Sequence, residues 1–444
     1  MKRVAAGFVW LMLALAPPAL HAQAAAPAEP ADEDGFKLRI SGELKAHLRW
    51  SEEDRFPLAF PFPPDFVPEG QPNVALETVS PGTSLEVSRA LVNLDVEMPR
   101  EISAHVQIGF VNLYDRNPTS TDAVVDVREA WVAFGRKRGS LELLEGSSLY
   151  ALVGKAPKLE RQPFRRLESY GLVSTAFNRF NDLQIQVGGS VGEHFYFAAQ
   201  LSNGNPIFMR DPNALAGDNG TEMPPDPDPR LHSGFPILYH AEVEELEPDD
   251  RFEYGGALGL RLLSADQRRG IDLMGFYYRT ELSPAASLRG TFYEGDLDIL
   301  DGAGGLSLPI SGDDREEYGF NLDARWGGFS VFGQIVKETA ANLPRVGYEV
   351  EAGYRFALGD LADPNDLFPS IQPAVRFSRL ENDFSAPRGF VAPSFAWDWD
   401  KLDLGLRLTI IRRLDLTLEY SVHDIAASRA IKHDEALATL RLVF

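Results

Sequence analysis

The stretch FKLRISGELKAHLRW, residues 36–50, constrains the fold more than any other feature of the chain. Phe36, Leu38, Ile40, Leu44, Ala46, Leu48 and Trp50 share one parity, and Lys37, Arg39, Ser41, Glu43, Lys45, His47 and Arg49 share the other. A period of two belongs to an extended strand with one apolar and one charged face, whereas a helix needs a period near 3.6. The two faces must meet two different solvents.

The device recurs to the last residue. Ala90, Val92, Leu94, Val96 and Met98 alternate with Asn93, Asp95 and Glu97, and Tyr318, Phe320, Leu322, Ala324 and Trp326 enclose Asn321, Asp323 and Arg325. Residues 348–358, 402–410 and 414–422 read the same way. Strands are expected near 36–50, 84–98, 101–114, 124–136, 140–153, 182–191, 193–202, 236–246, 254–263, 270–281, 286–298, 315–326, 328–338, 345–358, 370–380, 396–411, 412–423 and 433–444, a set of 18. Connections after even-numbered strands are short: PR at 99–100, KRG at 137–139, GG at 327–328 and RR at 412–413. Those after odd-numbered strands are longer: 51–83, 154–181, 203–235, 299–314 and 381–395. Short turns at one end and long loops at the other are the layout of an outer-membrane barrel.

A soluble sandwich also alternates, but its strands average five or six residues. Several here alternate over nine to fifteen residues, enough to cross a bilayer at a tilt. The final segment EALATLRLVF ends on Phe444 after apolar residues at every second position, which resembles the recognition signal of outer-membrane barrel assembly. At the other end Lys2 and Arg3 precede VAAGFVWLMLALA and a small-residue stretch, the pattern of a secretory signal peptide cut after Ala22, with Ala24 as second choice. The expected organisation is a signal at 1–22, a polar leader at 23–35 and a barrel over 36–444. The fold class is all-β: a transmembrane antiparallel up-and-down barrel in the cell outer membrane, with short periplasmic turns and long extracellular loops. Closure follows because no unpaired strand edge can remain in hydrocarbon. The apolar face then meets the lipid bilayer, the charged face lines water, and Trp50 and Trp326 mark the interfaces.

Composition narrows the partners. With no cysteine the chain has no disulfide or thiol chemistry, and a net charge of −22 argues against nucleic acid. Within this acidic chain, loop 154–181 (GKAPKLERQPFRRLESYGLVSTAFNRFN) is basic, with Lys155, Lys158, Arg161, Arg165, Arg166 and Arg179 against Glu160 and Glu168. Folded into the barrel, such a loop places cations at a constriction and favours small anions. Facing outward, it pairs with lipopolysaccharide phosphates.

The segments RALVNLDVEMP, VREAWVAFG, LVGKAPKLERQPF and STAFNRF…VGGSVGEHFYFAAQLSNGNP resemble the phosphate-selective porin O and P family, most sharply over 84–206. The resemblance implies a homotrimeric channel of 16 strands for small anions such as phosphate, making 16 the alternative to the count of 18. Carried over residue by residue, it matches Lys155, Lys158, Arg161, Arg165 and Arg166 as the pore constriction. The rest of the expected lumen is mixed, with Arg39, Lys45, Arg49, Arg89, Arg261, Arg355, Arg376 and Arg407 among Glu43, Asp95, Glu97, Asp323, Glu349, Glu351, Asp403 and Glu419.

Enzymatic and metal readings are weaker. GGSVG at 188–192 matches a nucleophile pattern around Ser190 but sits where a tight turn is expected, not a strand-to-helix elbow. His47, His105 and His194 are expected to face the lumen rather than form a lipid-hydrolase site. Asp211, Asp218, Glu222, Asp226 and Asp228 crowd loop 203–235 without calcium-loop spacing. No cofactor, metal or catalytic residue is assigned. The Phe- and Pro-rich loop 51–83 could enter the mouth, latch onto a neighbouring subunit or pack on its own barrel. The reading is a passive diffusion channel for small hydrophilic solutes with a weak anion preference, assembled by the barrel assembly machinery. The competing class is a non-conducting barrel that serves as adhesin or anchor. Two expectations test the faces: Leu404→Arg should destabilise, while Asp403→Arg should change conductance at little cost in stability.

Overall fold

The computed structural model describes residues 35–52, 55–57, 63–64, 67, 70, 72, 75–77, 82–111, 125–144, 146–177, 181–204, 234–236, 251–282, 311–384, 397–426, 430–431 and 434–444. The signal at 1–22 and nearly all of the leader lie outside these residues. Sixteen long strands form the wall. They are β1 (Lys37–Ser51), β2 (Gly82–Met98), β3 (Ile102–Gly109), β4 (Asp126–Phe134), β5 (Ser148–Pro157), β6 (Asn181–Val191), β7 (Phe195–Ser202) and β8 (Glu253–Leu263). The second half comprises β9 (Arg269–Glu281), β10 (Asp314–Trp326), β11 (Phe329–Ala340), β12 (Leu343–Tyr354), β13 (Ser370–Asn382), β14 (Asp398–Ile411), β15 (Leu414–Ala426) and β16 (Glu435–Val443).

Each strand pairs antiparallel with the next, and β16 returns to β1 from Glu43↔Val443 through Ser51↔Glu435. The wall is a closed barrel. Two-residue strands at Phe356–Ala357 and Ala430–Ile431 pair beside β13 and β15 without adding a stave. The expected count of 18 is therefore corrected to 16. Of the two surplus segments, 286–298 lies outside the described residues and 236–246 does so except for Pro236. The described strands on either side pair directly, β7 with β8 and β9 with β10. Local alternation reveals an amphipathic segment but not its neighbours, so the count had to wait for the pairing.

The alternation does what its period requires. Leu38, Ile40, Leu44 and Leu48 of β1, Leu402, Leu404 and Leu406 of β14, and Leu440 and Leu442 of β16 all point outward and are exposed on the isolated chain. Their partners in the sequence point inward, including Asp403, Arg376 and Glu351 at 0% exposure. Among the described residues no helix is long and apolar enough to cross a bilayer. Leu404→Arg is expected to cost about 2–4 kcal/mol, the depth-dependent penalty for a cation on the lipid face of a barrel. Urea unfolding in lipid vesicles measures it, and an unchanged midpoint would mean that this face does not meet hydrocarbon.

Two further expectations are corrected. The strand read as 140–153 begins only at Ser148, and residues 137–139 are not a tight turn: the segment from Gly135 runs on to Ser140, Leu141 and Glu142, which bond to residues of β8, β9 and β10. Loop 154–181 is shorter than read, because β5 continues to Pro157. At the opposite mouth, Arg55–Pro57 pairs with Ala75–Glu77, which pairs in parallel with Gly234–Pro236, tying the loop after β1 to the loop after β7. The acidic residues Asp211 to Asp228 lie outside the described residues, as does most of the Phe- and Pro-rich stretch.

Candidate functional site

The loop from Lys158 leaves β5 and crosses the barrel. Tyr278 of β9 donates from its hydroxyl to Glu160 at 2.6 Å and accepts from the Leu159 amide at 3.0 Å. Asn321 of β10 and Gln334 of β11 both donate to the Glu160 carbonyl, at 2.8 and 3.0 Å. Further along, Arg166 donates to Glu351 of β12 and to Ser330 of β11. The Glu168 and Ser169 amides donate to Glu419 of β15. Arg376 of β13 donates to the carbonyls of Ser169 and Tyr170 at 2.9 and 2.7 Å, and Lys401 of β14 reaches the Tyr170 carbonyl at 2.6 Å. The loop is thus held by strands from β9 round to β15.

The crossing is secured by charge and by apolar packing together. Glu168 bridges Lys45 of β1 and Arg407 of β14, each at 2.6 Å. Burial opposes its negative charge, but Lys45 and Arg407 outweigh burial and hold the carboxyl well below the usual carboxylate range. Because its folded value is depressed, this contribution is complete above the ordinary carboxylate pKa and is lost only as pH falls through the depressed value. Mild acid therefore leaves the bridge intact. After Gly171 a single helical turn, α1 (Leu172–Ala176), buries Leu172, Val173 and Ala176 with Phe177 against Tyr278, Val336, Leu380, Trp399 and Ile425. The wall leaves room for these knobs. A Cβ at Gly347 would lie 2.4 Å from the Phe177 ring, and one at Gly405 would lie 2.2 Å from Leu167.

The five basic residues expected at the constriction are not together. Lys155 belongs to β5, on the outward parity of Leu149 and Val153, where it donates to the Val127 carbonyl at 2.8 Å. Lys158 is buried against Glu253 at 2.7 Å, with its ammonium 4.3 Å from the centre of the Tyr278 ring. Arg166 is buried on Glu351 at 3.3 Å. Only Arg161 and Arg165 stand in water. Arg161 pairs with Glu129 of β4 at 3.1 Å, and Arg165 donates to the Ser169 carbonyl with no carboxylate in ion-pair range among the described residues. Sequence reasoning missed the residues that hold the loop in place, namely Glu168, Glu419, Arg376 and Lys401, and the apolar seat behind it. A signal existed for the seat. In MGFYY, residues 274–278, both parities are apolar, as expected for a strand covered on both faces.

The inner wall is divided in two. From β10 to β14 its charged groups are sealed beneath the loop: Arg315, Glu317, Glu338, Arg345, Glu349, Glu351, Arg376, Lys401 and Asp403 are each at most 3% exposed. From β16 through β1 to β4 the inner face is wet. Side chains there remain 43% exposed at Asp95, 40% at the neighbouring loop residue Arg161, and 27% at Arg89 and Arg441. Arg39 of β1 is also exposed; in the other half Arg355, which follows β12, is exposed as well.

Other candidates do not assemble. Ser190 lies near the end of β6 rather than in a turn, and it donates to the Gly146 carbonyl at 2.6 Å. His47 and His105 face inward as expected, on Thr439 and Asp95. His194 sits instead in the exposed turn after β6, against the Arg261 carbonyl. Among the described residues no group of acidic and histidine side chains is arranged to hold a metal ion.

A closed sixteen-strand wall with an apolar outer face, a charged interior and a loop folded in after the fifth strand is an outer-membrane β-barrel of porin architecture. The fold is similar to that of the outer-membrane channel DcaP of Acinetobacter baumannii, over 94% of this chain and 100% of that one, with a TM-score of 0.54 and 10% identity. It is also similar to OmpF of Salmonella typhi, solved in complex with daunomycin, over 93% and 99%, with a TM-score of 0.53 and 12% identity. These likenesses are of fold, and they support a porin architecture generally without singling out the phosphate-selective family. No protein-family model matches the chain, nor does any curated protein sequence.

Proposed function

We propose that the protein is a passive diffusion channel for small hydrophilic solutes, with a weak preference for anions such as phosphate. The carrying observation is the divided lumen: one half is filled and dry, while the β16–β4 side keeps charged groups in water. Basic residues on that side include Arg39, Arg89, Arg161 and Arg441, against Glu43, Asp95, Glu97 and Glu129, while Arg165 of the loop, Arg355 after β12 and Asp415 of β15 lie toward the other half. Arg165 and Arg355 lack a carboxylate in ion-pair range among the described residues, which leaves a small positive excess near the loop. In a narrow, partly low-dielectric passage a few fixed charges outweigh the acidic balance of the whole chain, most of which is screened beyond about 8 Å at physiological salt.

Arg161→Gln with Arg165→Gln is expected to move the reversal potential in a salt gradient toward cations, recorded in planar bilayers. An unmoved potential would remove these residues from the path. Arg166→Gln should act differently, loosening the loop rather than changing the local charge, because Arg166 is buried on Glu351. Absence of any ohmic steps would favour the non-conducting adhesin or anchor. A barrel lipid hydrolase would instead require Ser or His labelling by a covalent lipid analogue.

The outer surface supports a homotrimer. From β2 to β6 it is aliphatic (Leu85, Val92, Val106, Val132, Val153, Ile185), with Phe134 the aromatic exception among the described strand residues. From β8 to β15 the same surface carries Tyr254, Tyr277, Tyr318, Trp326, Phe329, Tyr348 and Tyr420. Aromatic girdles mark lipid interfaces, so the face without one is suited to cover by other copies of the chain. Export with removal of 1–22, recognition of Phe444 by the barrel assembly machinery and contact of the outer mouth with lipopolysaccharide complete the reading.

A further inference from the structure

The turns after even-numbered strands are short at 99–101, 192–194, 264–268, 327–328 and 412–413; the one after β12, at 355–369, is longer, and so is the one between β4 and β5. It departs at Gly135, whose φ of 80° is open to glycine and where a Cβ would lie 2.2 Å from the Leu149 carbonyl oxygen. Instead of turning back, it enters the barrel. Ser140 donates from its hydroxyl to Asp323 of β10 at 3.1 Å and to Asp272 of β9 at 3.4 Å, and the Leu141 amide donates to Asp272 at 3.3 Å. Arg325 of β10 donates to the Leu141 carbonyl and Arg261 of β8 to the Glu142 carbonyl, both at 2.8 Å. Leu141 and Leu144 are buried. The segment therefore spans from β4 to β8, β9 and β10 at the periplasmic end, beneath the half of the lumen that the outer loop fills from above.

Its basic run, Arg136, Lys137 and Arg138, comes just before this anchor. Lys137 is exposed to water and forms no hydrogen bond or ion pair among the described residues; the protein around it lowers its ammonium from the usual lysine range to about 8, which leaves it charged at neutral pH, and Glu129 of β4 opposes that shift. Glu129 is the same inward carboxylate that holds Arg161 of the outer loop at 3.1 Å, with His105 of β3 at 3.7 Å. Arg161 thus reaches this carboxylate from the outer loop, and the charge of Lys137 is felt there from the segment at the other end.

We propose that residues 135–144 are a second constriction element, entering from the periplasmic end, with Lys137 a fixed cation on the solute path that helps set charge selectivity. The proposal rests on the channel reading and extends it, placing selectivity on two segments in series instead of one loop. The anchor on Asp272, Asp323, Arg261 and Arg325 holds the segment in the passage, so Lys137 acts at a fixed position where the walls are close. A cation there disfavours passing cations and retains small anions by the same electrostatics as Arg161 and Arg165.

The absence of native cysteine makes the test clean, since Lys137→Cys carries the chain's single thiol. In planar bilayers, a sulfonate-bearing methanethiosulfonate added to the chamber at the periplasmic end should lower the current and move the reversal potential toward cations. It should react more slowly from the other chamber. Glu193→Cys, on the short turn after β6, should label without any change of current. Lys137→Glu should shift the reversal potential the same way without chemistry, and retained heat-modifiable mobility would show that the barrel is closed. Complete labelling of Lys137→Cys, verified by mass, with unchanged conductance and reversal potential would overturn the proposal and leave the channel reading standing. A wild-type barrel that passes no current would overturn both.

Discussion

Asp403→Asn is expected to destabilise the barrel by about 3–5 kcal/mol, the range for removing one partner from a buried ion pair. The Asp403 carboxylate is fully buried on the inner face of β14 and accepts hydrogen bonds from Arg376 at 2.9 Å and Ser421 at 2.5 Å. Lys401 lies 3.1 Å away, and Ser169 of the crossing loop donates at 3.3 Å. Neutralising it leaves two buried cations facing each other, with only Glu351 at 3.4 Å from Arg376 to share. Those same cations grip the Ser169 and Tyr170 carbonyls, so the loop should loosen and the open-channel current should become noisier. Asp403→Arg should be worse still, because a third cation enters the cluster. This reverses the expectation from alternation, which ranked a change at 403 as cheap and one at 404 as costly. The thermal transition of the heat-modifiable band in detergent decides it. Wild-type stability in Asp403→Asn would mean that water, not the loop, surrounds this carboxylate.

Deleting Phe444 is expected to abolish most of the closed barrel. Its amide donates to the Gly42 carbonyl at 3.1 Å, and the Gly42 amide donates back at 3.0 Å, the last rung of the seam between β16 and β1. Its ring lies over Gly42 on the lipid face, where a Cβ on Gly42 would come within 2.3 Å of the ring edge. Deletion strands both Gly42 backbone groups at the hydrocarbon boundary, where each unsatisfied group costs several kcal/mol. The seam would then fray from its end. The fraction of chain that keeps heat-modifiable mobility measures the effect, and a normal folded yield would count against both the structural role and the assembly signal. Phe444→Tyr, which keeps the ring and the backbone bonds, should fold.

The alternation of β1 announced the wall because period two is a local property: each residue's face follows from its neighbours in the chain. The same holds for the lipid-facing leucines of β14 and for the inward Asp403, Arg376 and Glu351. Strand count was less legible, because segments such as 236–246 share the local pattern and only pairing shows that β7 joins β8 without them. The charge of loop 158–180 was visible, but the fate of each cation was not. Lys155, Lys158, Arg161 and Arg166 differ by few positions, yet one faces outward, two are neutralised inside and one stands in water. Sequence proximity says nothing about which distant carboxylate awaits each of them.

By itself, then, the sequence determined a closed, membrane-spanning antiparallel wall with apolar staves outside and charges within, since hydrocarbon tolerates no open edge and the parity of each side chain is local. Only the tertiary structure decided what fills that wall. Glu253, Glu351, Asp403 and Glu419, from four separate strands, converge on one loop, and Asp272 and Asp323 draw Gly135–Leu144 in from the other end. Those contacts join residues more than ninety positions apart, and their energies depend on burial and pairing that no local pattern encodes.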